Sequence, residues 1–371
     1  MSVLIICEKP SVAKTVALAL GAAEQKDGYL SGDGLLVSWC IGHLISMADA
    51  GSYDERYKKW RYEDLPILPQ TWKYAPTPGK EKQLAVLKEL LHRSDVSEVV
   101  NGCDAGREGE LIFRFVYEQA GCTKPFSRLW ISSMEDSAIR EGFAGRRAGT
   151  EYDALYQSAL CRARADWLVG INATRLFSVL YHKTLNVGRV LSPTLNLLVE
   201  RDGKITMFHK EKYHIVHIGC GGVDAESERI SDASAADALK TACEASQAVC
   251  VSLKKEKKTA LPPKLFDLTL LQREANRVYG FTAKQTLDYA QSLYEKRFLT
   301  YPRTDSNYLT EDMAQTATDL VAALLPVLPF MQGAELKPEI GRVINSAKVS
   351  DHHAIIPTAA FAGNGFDGLP E

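Results

Sequence analysis

The sequence predicts an α/β domain built on a parallel sheet, followed by a mixed α+β region. Two short, wholly apolar runs, Val3 to Cys7 and Val96 to Cys103, are typical of strands buried on both faces. A helical pattern follows each of them, and this alternation indicates a parallel sheet. The mixed region is predicted from a long helical stretch, Tyr152 to about Tyr181, and from short alternating strands around a helix near Ser234, between Lys212 and Val251.

Helix-start and helix-stop residues give the bounds of the elements in the first domain. Pro10 and Ser11 begin a helix that runs through Leu20, and Gly21 ends it. The other elements predicted there are a helix from Glu108 to Gln119 closed by Gly121, a strand from Phe126 to Ile131, and a helix opened by a capping box of Ser132 and Glu135.

Two helices in close succession are predicted in the last third of the chain. One runs from Leu268 to Tyr279 and stops at Gly280. The other starts at Thr282, where Gln285 completes a capping box, and runs to about Arg297. Two helices joined by so short a turn predict a helix-turn-helix-like domain.

The composition predicts a globular, cytosolic protein. Of the 371 residues, 46% are hydrophobic and 24% are charged, and a chain of this length forms two or three domains. No apolar run approaches the ~20 residues needed to cross a bilayer, and the start lacks the features of a signal peptide. The eight cysteines include no Cys-x-x-Cys pair and several lie in apolar runs, which favours buried, reduced thiols over disulfides or zinc.

Charge is distributed unevenly along the chain. The net charge of −2 is not that of a protein coated in phosphate-binding surface, so any nucleic-acid site must be a local basic patch. Between residues 250 and 310 there are eleven Lys and Arg and six Asp and Glu, a net charge of +5. This window favours a polyanionic partner, although Lys254 to Lys258 are equally consistent with a solvated linker.

The segment Thr300-Tyr-Pro-Arg-Thr-Asp-Ser306 contains the first candidate catalytic residue. Pro302 stiffens the backbone beside the Tyr301 phenol, and the Arg303 guanidinium lies two residues on. A nucleophile needs fixed aim, and arginine holds a phosphate bidentately while it offsets charge on the phosphate oxygens. The pattern suits a tyrosine that attacks a phosphodiester. A tyrosine near an arginine is nevertheless more often ordinary packing, so this segment alone does not decide.

Two predicted strands end in acidic residues. Glu8 and Lys9 follow the first strand, and Asp104 and Glu108 follow the second. Parallel strands present functional groups at their carboxyl ends, so these carboxylates are expected to converge, and as hard oxygen ligands they suit Mg2+ shared with phosphate. The alternative is that Asp104 caps the next helix and that Glu108 and Glu110 lie in its exposed first turn. The pairing of both strand ends favours the metal site.

Taken in chain order, these motifs resemble those of type IA DNA topoisomerases of the bacterial topoisomerase III kind. The resemblance runs from residue 1 to about residue 358. The motifs that carry it are Glu8-Lys-Pro-Ser11, Trp39-Cys-Ile-Gly-His43, Asp104-Ala-Gly-Arg-Glu108-Gly109, Cys161-Arg-Ala-Arg164-Ala-Asp166-Trp-Leu-Val-Gly-Ile-Asn172, Val187-Gly-Arg189-Val-Leu-Ser192-Pro-Thr194, Leu271-Gln-Arg-Glu-Ala-Asn276, Thr300 to Ser306, and Asp351-His352-His353-Ala-Ile-Ile-Pro357.

The resemblance implies a Toprim domain that carries Glu8 and the acidic cluster, and a separate domain that carries Tyr301. Tyr301 would attack single-stranded DNA, forming a 5′-phosphotyrosine and freeing a 3′-hydroxyl, and a second strand would pass before resealing. A phenol leaves far more readily than an alkoxide, so resealing would need no ATP. Also implied are Mg2+ as cofactor, relaxation or decatenation of negatively supercoiled or catenated DNA, and a bacterial cytoplasmic location at nucleoid or plasmid DNA.

The resemblance further implies a role for each matched residue. Lys9 and Arg303 would contact and stabilise the scissile phosphate. Glu8 would serve in proton transfer near the leaving 3′-oxygen, and His352 would orient the DNA or the phosphate. The implied metal ligands are Glu8, Asp104 and Glu108, and the implied lining of the single-strand groove is Arg164, Asp166, Arg189 and Ser192.

The resemblance also divides the chain into domains. We expect a Toprim domain at 1–150, the first part of a helical single-strand-binding domain at 151–205, the first part of a gate or hinge domain at 206–262, and a helix-turn-helix-like tyrosine domain at 263–371. Family members continue well past the last matched motif. We therefore expect elements in roughly 200–260 to lack part of their partner surface.

One departure from the family pattern concerns the metal. Where the family has Asp-x-Asp-x-Glu, this chain has Gly106 between Asp104 and Glu108, so the middle carboxylate is absent. Glu110 is a poor substitute, because two residues along a helix it points roughly the opposite way from Glu108. Weaker Mg2+ binding is therefore expected.

Two other interpretations remain open from the sequence. A Toprim enzyme of another class, such as a nuclease or primase, would use the same acidic cluster without a tyrosine. A non-catalytic DNA-binding module is suggested by the predicted helix-turn-helix, although a pure binder would not need Glu8, Asp104 and Tyr301.

Overall fold

The computed structural model describes residues 1–131, 134, 136–331, 333, 338–349 and 352–369. The chain forms two compact units, one made of Met1–Gly188 with Pro263–Glu371 and the other of Arg189–Pro262. The predicted capping box of Ser132 and Glu135 lies outside the described residues. Among the helices that are described, none is long and apolar enough to cross a membrane.

The larger unit begins with a sheet domain. Pro10 occupies the first turn of its first helix, where the missing N–H of proline costs no hydrogen bond. In chain order the elements are β1 (Ser2–Cys7), α1 (Pro10–Ala19), β2 (Glu24–Lys26), β3 (Tyr29–Gly32), β4 (Leu35–Trp39), β5 (Ile45–Met47), β6 (Tyr74–Pro76), α2 (Glu81–His92), β7 (Val96–Gly102), α3 (Arg107–Gln119), β8 (Phe126–Arg128), α4 (Asp136–Ala144), β9 (Arg147–Ala148) and α5 (Asp153–Leu180).

Seven of the described strands form one sheet in the order β2-β3-β4-β1-β7-β8-β9. The central strand β1 is parallel to β4 and β7, and β8 is parallel to β7, whereas the strands at both edges are antiparallel. Cys7 pairs with Gly102, so β1 and β7 end at the same edge of the sheet. The predicted parallel α/β architecture is confirmed, and residues that follow these two strands start from neighbouring points.

Helices cover both faces of the sheet. Leu4 and Ile6 of β1 pack in one core with α2, α3 and the first part of α5. Ile5 and Cys7 pack in the other core with α1 and α4. Successive side chains of a strand point to opposite faces, so a strand covered on both sides must be apolar throughout.

One predicted strand is shorter than expected. The strand predicted for residues 126–131 ends at Arg128. Phe126, Ser127 and Arg128 have ladder partners on β7, and the last pair of this ladder joins Arg128 to Asn101.

The smaller unit contains helices and a hairpin. Its described elements are α6 (Leu191–Thr206), β10 (His217–Cys220), β11 (Val223–Glu226) and α7 (Ala233–Glu244). The strands β10 and β11 pair with each other, and the described chain between α7 and Pro262 adds no strand to them. Strands therefore precede the predicted helix near Ser234 but do not follow it. Large apolar side chains are exposed throughout this unit, among them Leu191, Leu195, Leu198, Met207, Phe208 and Val223.

The larger unit resumes with helices that carry the tyrosine segment. They are α8 (Leu268–Tyr279), α9 (Ala283–Glu295), α10 (Ala314–Leu324) and α11 (Ala359–Asn364). Gly280 closes α8 with a left-handed φ of +70°, and Thr282 with Gln285 forms the predicted capping box of α9. These features confirm the predicted helix starts and stops. The helix-turn-helix character of the pair stays a prediction.

Candidate active site

The carboxyl ends of β1 and β7 bring three charged side chains together. The Nζ of Lys9 lies 2.9 Å from Oδ2 of Asp104 and 3.5 Å from Oε1 of Glu8. All three side chains are largely buried. Lys9 is thus held between two carboxylates, at the edge of the sheet where the acidic residues were expected from the sequence.

The backbone around Asp104 is fixed from two directions. Arg128, which is 1% exposed, donates from Nη2 to the carbonyl oxygen of Asp104 at 2.7 Å and from Nη1 to that of Cys103 at 2.7 Å. Gly109 allows α3 to approach the same carbonyl, because a Cβ there would stand 2.2 Å from it. Sequence reasoning missed Arg128. The sequence did offer a signal, because a cation inside a buried strand requires an acidic partner. That partner is Glu110, whose Oε2 lies 3.2 Å from Nε of Arg128.

Tyr301 lies in the loop after α9, and its ring packs on the charged cluster. The loop is anchored to the segment after His352, since Thr300 N donates to the carbonyl oxygen of Ile356 and Ile356 N donates to the Thr300 hydroxyl. Lys9 Nζ is 4.9 Å from the centre of the Tyr301 ring. The His352 ring lies 4.3 Å away and the Tyr294 ring 5.3 Å away in an edge-on arrangement. The nucleophile candidate is therefore confined on several sides.

Burial and neighbouring charges set the protonation of the site. Burial raises the pKa of the Tyr301 phenol, while Lys9 and Arg303 oppose that shift. Burial, with the Asp104 charge in second place, raises the pKa of Glu8. Burial acts to lower the pKa of Lys9, but Asp104 and Glu8 outweigh it and the pKa ends above its ordinary value. The site thus combines a phenol and a carboxyl whose protonated forms are favoured by burial with a lysine whose charged form is favoured by its two acidic neighbours.

His352 contributes a neutral ring to the cluster. Burial lowers its pKa to about 4. Among the described residues, its buried Nδ1 has no hydrogen-bond partner, whereas Nδ1 of His353 bonds the carbonyl oxygen of Ala354 at 2.8 Å. Asp351, which precedes it in the motif, lies outside the described residues. An uncharged imidazole with a free ring nitrogen is able to orient a phosphate or hydroxyl by hydrogen bonding.

The acidic residues are arranged in separate groups. Glu108 accepts a hydrogen bond from Nε2 of His43 at 2.6 Å, and this contact lowers the pKa of Glu108. Glu110 is fully buried against Arg114 and Arg128. Within the described part of the chain, no three His, Cys, Asp or Glu side chains are grouped as a ready metal site. Glu8 and Asp104 still present adjacent hard oxygen donors whose charges disfavour each other, a donor set that fits Mg2+.

The remaining predicted site residues are Arg303, Arg164, Asp166, Arg189 and Ser192. Arg303 is exposed and acts on Tyr301 through its charge. Arg164 and Asp166 are on α5, where the Arg164 guanidinium stacks 5.2 Å from the Trp72 ring and donates to the Tyr74 hydroxyl at 3.5 Å. Arg189 and Ser192 belong to the smaller unit. The predicted roles of all these residues remain proposals.

Comparisons with known proteins agree with this geometry. A family model described as "Toprim domain" matches residues 3–134, and one described as "DNA topoisomerase" matches residues 150–366. DNA topoisomerase 3 of Shouchella clausii (strain KSM-K16) is 42% identical over 369 residues, covering 95% of this chain and 50% of the relative. DNA topoisomerase 3 of Bacillus subtilis (strain 168) is 42% identical over 369 residues, covering 96% and 50%.

A solved structure is similar over nearly the whole chain. Full-length topoisomerase I from Thermotoga maritima matches with a TM-score of 0.64 and 25% identity, covering 98% of this chain and 57% of that one. The chain thus spans about half the length of the curated relatives it matches.

Proposed function

Because this chain belongs to the DNA topoisomerase family, and within it to type IA, we propose that it breaks and rejoins single-stranded DNA through Tyr301. The product of breakage is a 5′-phosphotyrosine on one side and a free 3′-hydroxyl on the other. Passage of a second strand before rejoining changes DNA topology, by relaxation of negatively supercoiled DNA or decatenation. The predicted location at nucleoid or plasmid DNA in the cytoplasm is part of this proposal.

The observation that carries the proposal is the position of the Tyr301 ring. It packs against Lys9, which itself bridges Glu8 and Asp104, and against His352. This arrangement suits a nucleophile for a phosphodiester, because the cation stabilises charge on the phosphate while packing of the ring fixes the aim of the phenolic oxygen.

The proposed breakage step is a transfer of the phosphoryl group. The bond from the Tyr301 oxygen to phosphorus forms as the phenol loses its proton to solvent. The bond from phosphorus to the 3′-oxygen breaks as that oxygen receives a proton. Glu8 suits this delivery, because its raised pKa lets it hold a proton. Lys9 and Arg303 offset the charge on the phosphate oxygens. Rejoining reverses these steps without ATP, since the phenolate is the better leaving group.

Mg2+ is the proposed cofactor. Toprim domains generally bind this ion. Glu8 and Asp104 would hold it, with Glu108 as the third proposed ligand, and when bound it would neutralise phosphate charge and orient the strand. Gly106 supplies no carboxylate, so the acidic residues available are fewer than the family pattern has.

The proposed path of the DNA strand runs over α5. Arg164 and Asp166 lie on that helix, and Arg189 and Ser192 complete the proposed groove lining. Arg164 already stacks on Trp72, an arrangement of a cation and an aromatic face that also suits nucleotide bases.

The test uses a single-stranded oligonucleotide labelled at its 3′ end and incubated with the 371-residue protein and Mg2+. We expect the label to become covalently attached to protein, because the 5′ phosphate of the downstream fragment stays on Tyr301. Tyr301→Phe removes only the phenolic oxygen, so it should abolish the adduct while binding stays within a few-fold. Tyr308→Phe is the matched control, a tyrosine of the same loop that contacts Lys264 and Lys348 instead of the cluster.

Two results would contradict the proposal. An adduct that persists in Tyr301→Phe would remove Tyr301 from the role of nucleophile. Metal-dependent cleavage that survives Tyr301→Phe and leaves no adduct would instead identify a Toprim nuclease.

A further inference from the structure

A cavity lies between α1 and the turn that follows α9. Its volume is about 260 Å³. Residues 11, 14 and 15 face it together because they lie three and four positions apart on a helix. Its lining includes Ser11, Lys14 and Thr15 of α1, and Tyr294, Glu295 and Arg297 at the end of α9.

Arg297, which lines this cavity, has a backbone conformation that is unfavourable for a residue with a side chain. Its φ is +62°, in the left-handed region that residues with a Cβ disfavour. The preceding helix α8 ends in the same region with Gly280, which has no such cost. The Arg297 backbone is fixed there, because its N–H donates to the carbonyl oxygen of Tyr294 at 2.8 Å and its own carbonyl accepts from the Thr358 hydroxyl.

The Arg297 side chain reaches across the cavity. Its Nη2 donates to the Thr15 hydroxyl of α1 at 3.1 Å, and the Thr15 hydroxyl donates to the carbonyl oxygen of Ser11 at 3.2 Å. The fixed turn and this hydrogen bond aim the guanidinium at the space between the two helices. The left-handed residue belongs to the turn that ends α9, in which the Phe298 N–H also donates to the carbonyl oxygen of Leu293 at 2.9 Å.

The charge around the cavity is positive. Lys14 is exposed, and among the described residues it makes no ion pair or hydrogen bond. Glu295 is the acidic residue at the cavity, and its Oε1 accepts from Nε2 of Gln291 at 2.9 Å. With Lys14 and Arg297 against Glu295, the lining has a net charge of +1 and offers hydroxyl donors as well. Such a lining suits an anion with several acceptor oxygens.

The cavity is separated from the nucleophile by one side chain. Tyr294 lines the cavity and also packs edge-on against the Tyr301 ring at 5.3 Å. The cavity therefore adjoins the ring that would hold the scissile phosphate. The volume is below the ~300 Å³ at which sites for whole small molecules begin, so it is matched to a piece of a chain.

We propose that this cavity binds a backbone phosphate of the DNA strand adjacent to the scissile phosphate, through Lys14 and Arg297. The inference rests on the proposed function, since the same strand occupies both places. The contact holds the strand in register with Tyr301, and it carries no sequence information because phosphates are the same at every nucleotide.

The experiment measures binding of single-stranded oligonucleotides in which one phosphate at a time is replaced by an uncharged methylphosphonate. It is done in the Tyr301→Phe protein so that nothing is cleaved. Lys14→Ala and Arg297→Gly remove the two cations, and glycine relieves the left-handed backbone so that the turn is preserved. Lys82→Ala is the matched control, an exposed lysine of α2 paired with Asp27.

The logarithm of the binding constant falls as the logarithm of the salt concentration rises. We expect each cation variant to make this slope less steep by about 0.7, the value for one phosphate contact on single-stranded DNA. At one phosphate position next to the cleavage site, neutralisation should weaken binding to the parent protein but not to Lys14→Ala. Lys82→Ala should behave like the parent.

The proposal would be overturned if neutralising each phosphate in turn lowered the affinity equally at every position, both in the parent protein and in Lys14→Ala. Unchanged salt slopes in both cation variants would overturn it as well. These outcomes are separate from failure of the proposed function, which the absence of a covalent adduct in the protein with Tyr301 intact would reveal.

Discussion

Lys9 is the residue on which the chemistry of the site depends most. It contacts both carboxylates and lies over the Tyr301 ring, so its charge acts on each group that must gain or lose a proton. Burial alone would discharge a lysine, but Asp104 and Glu8 keep the pKa of Lys9 above its ordinary value. A buried cation held by two acids stays ionised, and it opposes the rise that burial causes in the pKa of Tyr301.

The lowered pKa of His352 gives a prediction about pH. Because the folded-state pKa is about 4 and the ordinary value is 6.5, the unfolded protein binds more protons between these values. The contribution of His352 to the free energy of unfolding is therefore fully present above pH 6.5. It is lost as the pH falls toward 4, by at most ~1.4 kcal/mol per pH unit. His353 acts in the same direction, because burial lowers its pKa too.

We expect His352→Gln to flatten the loss of stability between pH 6.5 and 4. Urea unfolding without Mg2+, followed for both proteins across that range, measures the difference. His92→Gln is the control, since His92 lies on the exposed end of α2. Parallel curves for His352→Gln and the parent protein would show that the ring titrates normally in the folded state.

Among the elements, the register of β1 with β7 determines the site. Cys7 pairs with Gly102, so the residue after one strand and the loop after the other leave the sheet side by side. Parallel strands end together, which is why the charged residues that follow two strand ends start from neighbouring points. The turn between β7 and α3 is then fixed by Arg128 and by the close approach at Gly109.

This turn provides a prediction about the metal. Gly106 has an extended backbone, with φ of −179° and ψ of 175°, which residues with side chains adopt as well. We expect Gly106→Asp to add a hard ligand next to Asp104 and to lower the Mg2+ concentration at half-maximal adduct formation by several-fold. Calorimetric Mg2+ titration provides a second measurement that does not depend on activity.

Gly106→Asn is the matched control for that substitution. It has nearly the shape of aspartate without the charge, so it should leave the Mg2+ requirement close to that of the parent. If Gly106→Asp titrates like the parent, position 106 does not face the ion.

The sequence predicted the parts of the site that depend on local pattern. Buried strands, their acidic ends and the capping box of α9 were all readable, because each depends on residues close together in the chain. Arg128 and His43 were given no role, since their partners lie far away in sequence, and Tyr294 was given none although Tyr301 is only seven positions away. The pairing of Glu108 with His43, 65 positions apart, is a tertiary contact that no local spacing indicates.

At the scale of the whole molecule, the two compact units differ in how they are stabilised. The sheet domain has apolar cores on both faces of its sheet. In the unit Arg189–Pro262, by contrast, apolar side chains of α6 and of the hairpin are exposed. Exposed apolar surface on this scale favours association. The described structure does not show what covers it.

The last part of the smaller unit gives a prediction that decides between two interpretations of its charge. Residues 250–262 are exposed and contain no regular secondary structure, and Lys254 is paired with Glu256. Segments with exposed backbone and few contacts open to proteases before packed elements do. We therefore expect the first tryptic cuts at Lys254, Lys255, Lys257 and Lys258, mapped by mass spectrometry. Because a solvated linker makes no fixed contact with a phosphate, a single-stranded oligonucleotide that saturates the protein should leave the rate of these cuts unchanged. Protection by the oligonucleotide would instead make these lysines part of the DNA-binding surface.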